Sequence, residues 1–131
     1  MNLQSIESDL HPSLSVDMST GVKIIISDYR ECTSIDDQKE VILAARNFIL
    51  SQPDHSVREI VMFEGQKVST ELTKHAKAVT AEIDPKMIGL AFVGITGLQK
   101  IIMNSLARIS KKAMKAFDTE HEAKNFLINI E

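Results

Sequence analysis

The sequence predicts an α/β domain with a mainly parallel sheet of about five strands, helices on both faces, and an antiparallel first strand at one edge. Two patterns predict it. Short apolar runs rich in Val and Ile alternate with segments of helical periodicity, in the order β-β-α-β-α-β-α-β-α. The first run instead alternates apolar and polar residues, as a half-exposed edge strand does.

Each element has a local reason. Leu14, Val16 and Met18 alternate with polar residues, and turn residues follow at 19–21. Residues 22–26 then form a nearly continuous β-branched run. These three segments together predict a hairpin. Ser34 is placed to cap a helix that ends before Pro53. The later strands are expected at 57–63, 88–93 and 113–117.

Three further helices follow from apolar stripes and caps. The expected buried stripes are Leu72, Ala76, Val79 and Ile83; Leu98, Ile101, Ile102, Leu106 and Ile109; and Ala123, Phe126, Leu127 and Ile130. Thr96 with Gln99, and Thr119 with Glu122, have the spacing of a capping box.

Length and composition predict one domain. The chain has 131 residues, of which 44% are hydrophobic and 25% charged. Residues 1–12 are expected to form a flexible arm and residues 13–131 the domain. Cys32 is the single cysteine, and the first ten residues lack the pattern of a signal peptide, so we expect a cytoplasmic protein without a disulfide or membrane insertion.

The charge distribution is uneven. Residues 87–117 contain no Asp or Glu, yet they carry five basic residues, whereas the whole chain has a net charge of −3. A basic segment of this kind either binds an anion or is simply solvated. The overall negative charge and the aromatic content of 5% disfavour nucleic-acid binding.

A ligand site is expected where the parallel strands end, near a switch in strand order. The candidate ligand- or anion-binding residues at those ends are Asp28, Arg30, Glu64, Gly94, Thr96 and Gly97. Gly94-Ile95-Thr96-Gly97 puts two glycines and a hydroxyl before a helix, where free N–H groups favour an anion. The alternative is a tight strand-to-helix turn.

No catalytic or metal-binding pattern stands out. The four histidines are scattered, Cys32 has no second cysteine, and no nucleophile is paired with a base, so we expect a non-enzyme without a metal or cofactor.

Several segments together resemble the small bacterial SpoIIAA-like proteins, which are grouped with STAS and SEC14-type domains. They are Ile26-Ser27-Asp28-Tyr29-Arg30, Ala44-Ala45-Arg46-Asn47-Phe48-Ile49, Phe92-Val93-Gly94-Ile95-Thr96-Gly97-Leu98-Gln99-Lys100 and Lys115-Ala116-Phe117-Asp118-Thr119-Glu120-His121-Glu122-Ala123. The resemblance implies a β-α sandwich. In the anti-sigma-factor antagonists of the group, a phosphorylated serine at a helix N-terminus switches partner binding. Ser69 is the positional counterpart and a phosphorylation candidate here, without the Asp-Ser motif of those proteins.

Two functions follow as hypotheses. The first is a non-catalytic regulatory or protein-interaction domain, which contacts a protein partner or a second copy, as a homodimer, through Lys100, Met103 and Ala107 of the basic third helix. The alternative is a domain that binds a small anionic or apolar molecule in the cleft at the carboxyl ends of the strands.

Overall fold

The computed structural model describes residues 10–130. In chain order the elements are β1 (Leu14–Asp17), β2 (Ile24–Asp28), α1 (Ile35–Leu50), β3 (Val57–Met62), α2 (Thr70–Ile83), a 3₁₀ turn (Asp84–Lys86), β4 (Met87–Val93), α3 (Leu98–Ile109), β5 (Ala113–Phe117) and α4 (Glu120–Ile128). The predicted order of strands and helices is confirmed. Of the predicted arm, residues 1–9 lie outside the described residues, whereas Leu10 packs against the core and His11 contacts Glu40 at 3.3 Å.

The sheet is mixed, and its strands stand side by side in chain order. β1 is an antiparallel edge strand, with Leu14 opposite Ser27, and β2 to β5 are parallel. The predicted antiparallel first strand is thus confirmed. The order never reverses, however, so the sheet has no switch point of the kind that opens a crevice in doubly wound sheets.

Helices cover both faces unequally. Residues of α1, α2 and α3 share one core with β2 and β3, whereas α4 forms a second core with β2, β3 and β4 on the other face. Parallel crossovers have one hand, so connections that always step in the same direction place their helices on one face. α4 follows the last strand, and it is the helix that folds back over the other face.

Side-chain caps begin three of the four helices. Ser34 accepts a hydrogen bond from the Asp37 amide at 3.0 Å, and Thr119 accepts one from the Glu122 amide at 3.2 Å, as predicted. Ser69 caps α2 in the same way. α3 differs from the prediction, because it begins after Gly97 and has no side-chain cap. The Gln99 side chain accepts from the Thr96 amide at 2.9 Å, which is one half of the expected capping box.

Polar contacts tie α4 to the sheet. Lys124 lies 2.8 Å from Asp17 of β1 and 2.9 Å from Glu120 of its own helix. Arg58 of β3 donates from Nε to the Leu127 carbonyl at 2.9 Å, which satisfies an acceptor at the end of the helix. These contacts hold the middle and the C-terminal end of α4 against the sheet.

Candidate functional site

An apolar cavity of the described chain lies between the sheet and the layer of α1, α2 and α3. Its volume is about 90 Å³, and most of its wall is aliphatic or aromatic. Two small side chains, Ala45 of α1 and Ala76 of α2, are part of this wall. The space exists because neither alanine fills the gap between its helix and the sheet.

Glu59 places a carboxyl group in this apolar wall. It lies on the central strand β3 between Val57 and Val61, and the period of two turns all three side chains toward the three-helix layer. Only 4% of Glu59 is exposed. Burial raises the pKa of its carboxyl group to about 7.

Ser27 provides the one hydrogen bond that Glu59 receives within residues 10–130. Its hydroxyl on the neighbouring strand β2 donates to Glu59 Oε2 at 2.7 Å. This bond lowers the pKa of Glu59, but the effect of burial is larger. The second oxygen, Oε1, receives no hydrogen bond from a residue in the range 10–130.

Two other polar side chains on the wall are already engaged. Arg46 donates from Nε to Glu82 Oε1 at 2.7 Å, and a second bond between the same side chains makes the pair bidentate. Gln99 donates to the Phe63 and Gln66 carbonyls at 3.3 and 2.6 Å. Arg46 and Gln99 therefore have partners within the protein, and Glu59 is the carboxylate of the cavity wall.

Tyr29 forms the wall beside Glu59. It is 6% exposed, and its ring meets that of Phe63 edge-on, with the centroids 5.3 Å apart. Burial raises the pKa of Tyr29 well above its ordinary value, and the charge of Glu59 raises it further. The phenol therefore stays protonated at neutral pH, as a neutral hydrogen-bonding group.

The predicted strand-end residues do not line the cavity, and four of them lie in two pairs. Arg30 binds both oxygens of Asp28, at 2.9 and 2.8 Å, and this pairing lowers the pKa of Asp28. Gly94 abuts Glu64, because a Cβ at Gly94 would lie 2.8 Å from the Glu64 Cβ. Its φ of +78° also favours glycine.

Comparison with known proteins supports the architecture through structure alone. No family model and no curated protein matches the sequence. The chain is similar to the crystal structure of an uncharacterized DUF3478-family protein with a SpoIIAA-like fold from Shewanella loihica PV-4. The TM-score is 0.67 at 9% identity, over 87% of this chain and 91% of that one. The chain has the SpoIIAA-like fold.

Within this SpoIIAA-like fold, Ser69 is the N-cap of α2. Its hydroxyl accepts from the Leu72 amide at 3.0 Å, and its carbonyl accepts from the Thr73 hydroxyl at 2.8 Å. Ser69 therefore lies at a helix N-terminus, as the sequence predicts. The described contacts of Ser69 are those of a cap.

Thr96 and Gly97 are exposed at the turn before α3, away from the cavity. The Arg30 guanidinium, which was expected to help them hold an anion, is occupied by Asp28. The structure therefore joins Asp28 with Arg30 and Glu64 with Gly94, and it leaves Thr96 and Gly97 in a turn of their own.

The predicted buried stripe of α3 was right for Ile102 and Leu106 and wrong for its three other residues. Leu98, Ile101 and Ile109 were expected in the core, but they are 74%, 58% and 37% exposed. Met103, expected on the polar side, packs partly against the core, while Lys100 and Ala107 are exposed. The reason is position: α3 contacts α2 and the edge strand β5, so no other helix or strand of residues 10–130 packs on its outer side.

Glu59 is the site residue that the sequence analysis missed. A signal for it exists: the carboxylate directly precedes the apolar run Ile60-Val61-Met62, which predicts burial on both faces of the strand. In residues 10–130 no three His, Cys, Asp or Glu side chains converge on a point that could hold a metal ion. None of the helices in that range is long and apolar enough to cross a membrane.

Proposed function

We propose that this chain binds a small, largely apolar molecule with one polar end in the cavity between the sheet and α1, α2 and α3. One observation carries the proposal: Glu59 has a carboxylate oxygen that no described residue bonds, and it stands in a largely apolar wall. Ligand sites of proteins commonly combine an apolar surface with a few placed polar groups. This is the alternative function from the sequence, moved from the strand ends to the interior.

The size of the cavity limits the occupant. An engineered apolar cavity of about 150 Å³ binds benzene. The cavity here is about 90 Å³, so it encloses only part of a six-membered ring, and the rest of such a ligand extends beyond it. The enclosed part is expected to be aliphatic or a small ring.

Filling the cavity should abolish binding without unfolding the chain. We expect Ala76→Leu to reduce the affinity for cyclohexanol, a small neutral probe, at least about tenfold, since the larger side chain occupies the space the ring needs. NMR chemical-shift titration measures the affinity, and thermal unfolding should show an unchanged or higher Tm.

Ala78→Leu is the matched control, because Ala78 lies on the exposed side of the same helix. It should leave the affinity for cyclohexanol unchanged. Equal affinities for Ala76→Leu and the unsubstituted chain would show that the probe binds elsewhere, and no binding of cyclohexanol by either would count against the cavity as a ligand site.

Exposed apolar residues on α3 support a second candidate function, docking of an acidic protein partner. Leu98 and Ile101 are three residues apart, so they lie on one side of the helix, and exposed Lys100 and Arg108 flank them. The basic charge favours an acidic surface and disfavours a symmetric contact between two copies of α3. This continues the regulatory hypothesis, with the contact moved from Met103 to Leu98 and Ile101.

Two helical peptides of equal length test this face, one built from Leu and Glu and the other from Leu and Lys. We expect the acidic peptide to bind in fluorescence anisotropy, and Leu98→Ser with Ile101→Ser to weaken it at least about tenfold. Leu43→Ser is the control, since Leu43 is an exposed apolar residue on α1. Equal binding of the basic peptide, or binding only to anionic vesicles, would contradict an acidic protein partner.

A further inference from the structure

We propose that the polar end of the ligand is a cationic amine and that Glu59 is its counter-ion. The inference rests on the proposed function, and it narrows the ligand class to small alkyl or cycloalkyl ammonium compounds. It depends on the position of one carboxyl group, on the hydrogen bond that this group already has, and on the charged groups around it.

One carboxylate oxygen of Glu59 can accept a hydrogen bond from a ligand. Ser27 Oγ donates to Oε2 at 2.7 Å, and within the described chain no group donates to Oε1. Glu59 lines the cavity, so Oε1 is within reach of a molecule inside it. A ligand with an N–H donor at one end and an apolar body at the other matches this surface.

Within residues 10–130, no cation on the cavity wall is free to pair with Glu59. From β2 it faces the Ser27 hydroxyl and the neutral Tyr29, whose pKa is raised. From α1 the cavity wall includes Arg46, which is held by both oxygens of Glu82. The contributions of α2 and α3 to the wall are apolar or neutral, with Thr80 and Gln99 as the polar members.

An ammonium group supplies the positive charge and the hydrogen-bond donor that Glu59 lacks. A carboxylate in an apolar wall with one hydrogen bond is poorly solvated, which is the physical cause of the raised pKa of Glu59. A cation at Oε1 stabilises the ionised form through both charge and hydrogen bonding. A neutral alcohol supplies only the hydrogen bond.

The alternative is a ligand that accepts a hydrogen bond from protonated Glu59. A ketone, for example, accepts a hydrogen bond from the protonated carboxyl group. Such a ligand binds better at low pH, whereas an amine binds better at high pH, because the amine requires Glu59 to be ionised. The pH dependence therefore separates the two classes.

The test compares cyclohexylamine, cyclohexanol and cyclohexanone, which share one ring size, by NMR titration at constant ionic strength. We expect the amine to bind about tenfold more tightly than the alcohol at pH 8, since a charged hydrogen bond is stronger than a neutral one. The affinity for the amine should fall about tenfold from pH 8 to pH 6, because Glu59, with a pKa of about 7, takes up a proton in this range. Glu59→Gln should remove both effects.

Each contrary result has a separate meaning. If the alcohol binds and Ala76→Leu blocks it, but the amine binds no more tightly, the cavity is a ligand site and the assignment of an amine is wrong. If the ketone binds more tightly at pH 6 than at pH 8, the assignment of an amine is also wrong. An amine preference that persists in Glu59→Gln would place the amine at another carboxylate. If none of the three probes binds, both the proposed function and this inference fail.

Discussion

Replacing Glu59 with glutamine is expected to stabilise the folded chain at pH 8 and to have almost no effect at pH 4. In the fold the pKa of Glu59 is raised from 4.5 to about 7, because the carboxyl group is buried in the cavity wall. Between these two values the folded chain holds a proton that the unfolded chain has released. The free energy of unfolding therefore falls as the pH rises through this range.

The size of the effect follows from the same shift. Each unit of difference in pKa corresponds to about 1.4 kcal/mol, so ionised Glu59 costs about 3 kcal/mol of stability above pH 7. Below pH 4.5 both states are protonated and the cost disappears. Glutamine keeps the shape and an acceptor for the Ser27 hydroxyl, but it carries no charge at any pH.

Urea denaturation of both proteins from pH 4 to pH 8 measures this difference. Glu31→Gln is the matched control, since Glu31 is exposed and the substitution removes the same unit of charge. The control should show no comparable rise in relative stability with pH. A difference between Glu59→Gln and the unsubstituted chain that stays constant from pH 4 to pH 8 would mean that Glu59 is solvated rather than buried.

Leu127→Ala is expected to lower the free energy of unfolding by about 2–5 kcal/mol. Leu127 is fully buried on α4, where it packs in the second core with residues such as Ile60 and Ala91. Among the described helices α4 is the one that covers this face of the sheet, so no neighbouring helix can move in to fill the cavity that alanine leaves.

Asn125→Ala, on the exposed side of α4, serves as the comparison. It should change the stability by no more than about 0.5 kcal/mol, as surface substitutions usually do. Urea denaturation of the two variants under the same conditions gives both values. A loss below about 1 kcal/mol for Leu127→Ala would contradict the packing of α4 against the sheet.

Local patterns were enough to predict the elements of this protein. A serine before α1 and a threonine before α4 predicted two helix starts, because the capping bond is made within four residues of chain. Alternation at Leu14 and Val16 predicted the antiparallel edge strand, since a strand that is solvated on one face repeats every second residue. Fold class and chain order of the elements follow from such short-range rules.

The site was decided by the tertiary structure. The chain-order arrangement of the strands brings three helices onto one face, and the spaces beside Ala45 and Ala76 then become one cavity. The same arrangement leaves α3 at the edge, so Leu98 is exposed although its periodicity predicts burial. Glu59 is buried because elements far apart in the chain close over it. The resulting loss of solvation raises the pKa of its carboxyl group, and no neighbour in sequence causes this effect.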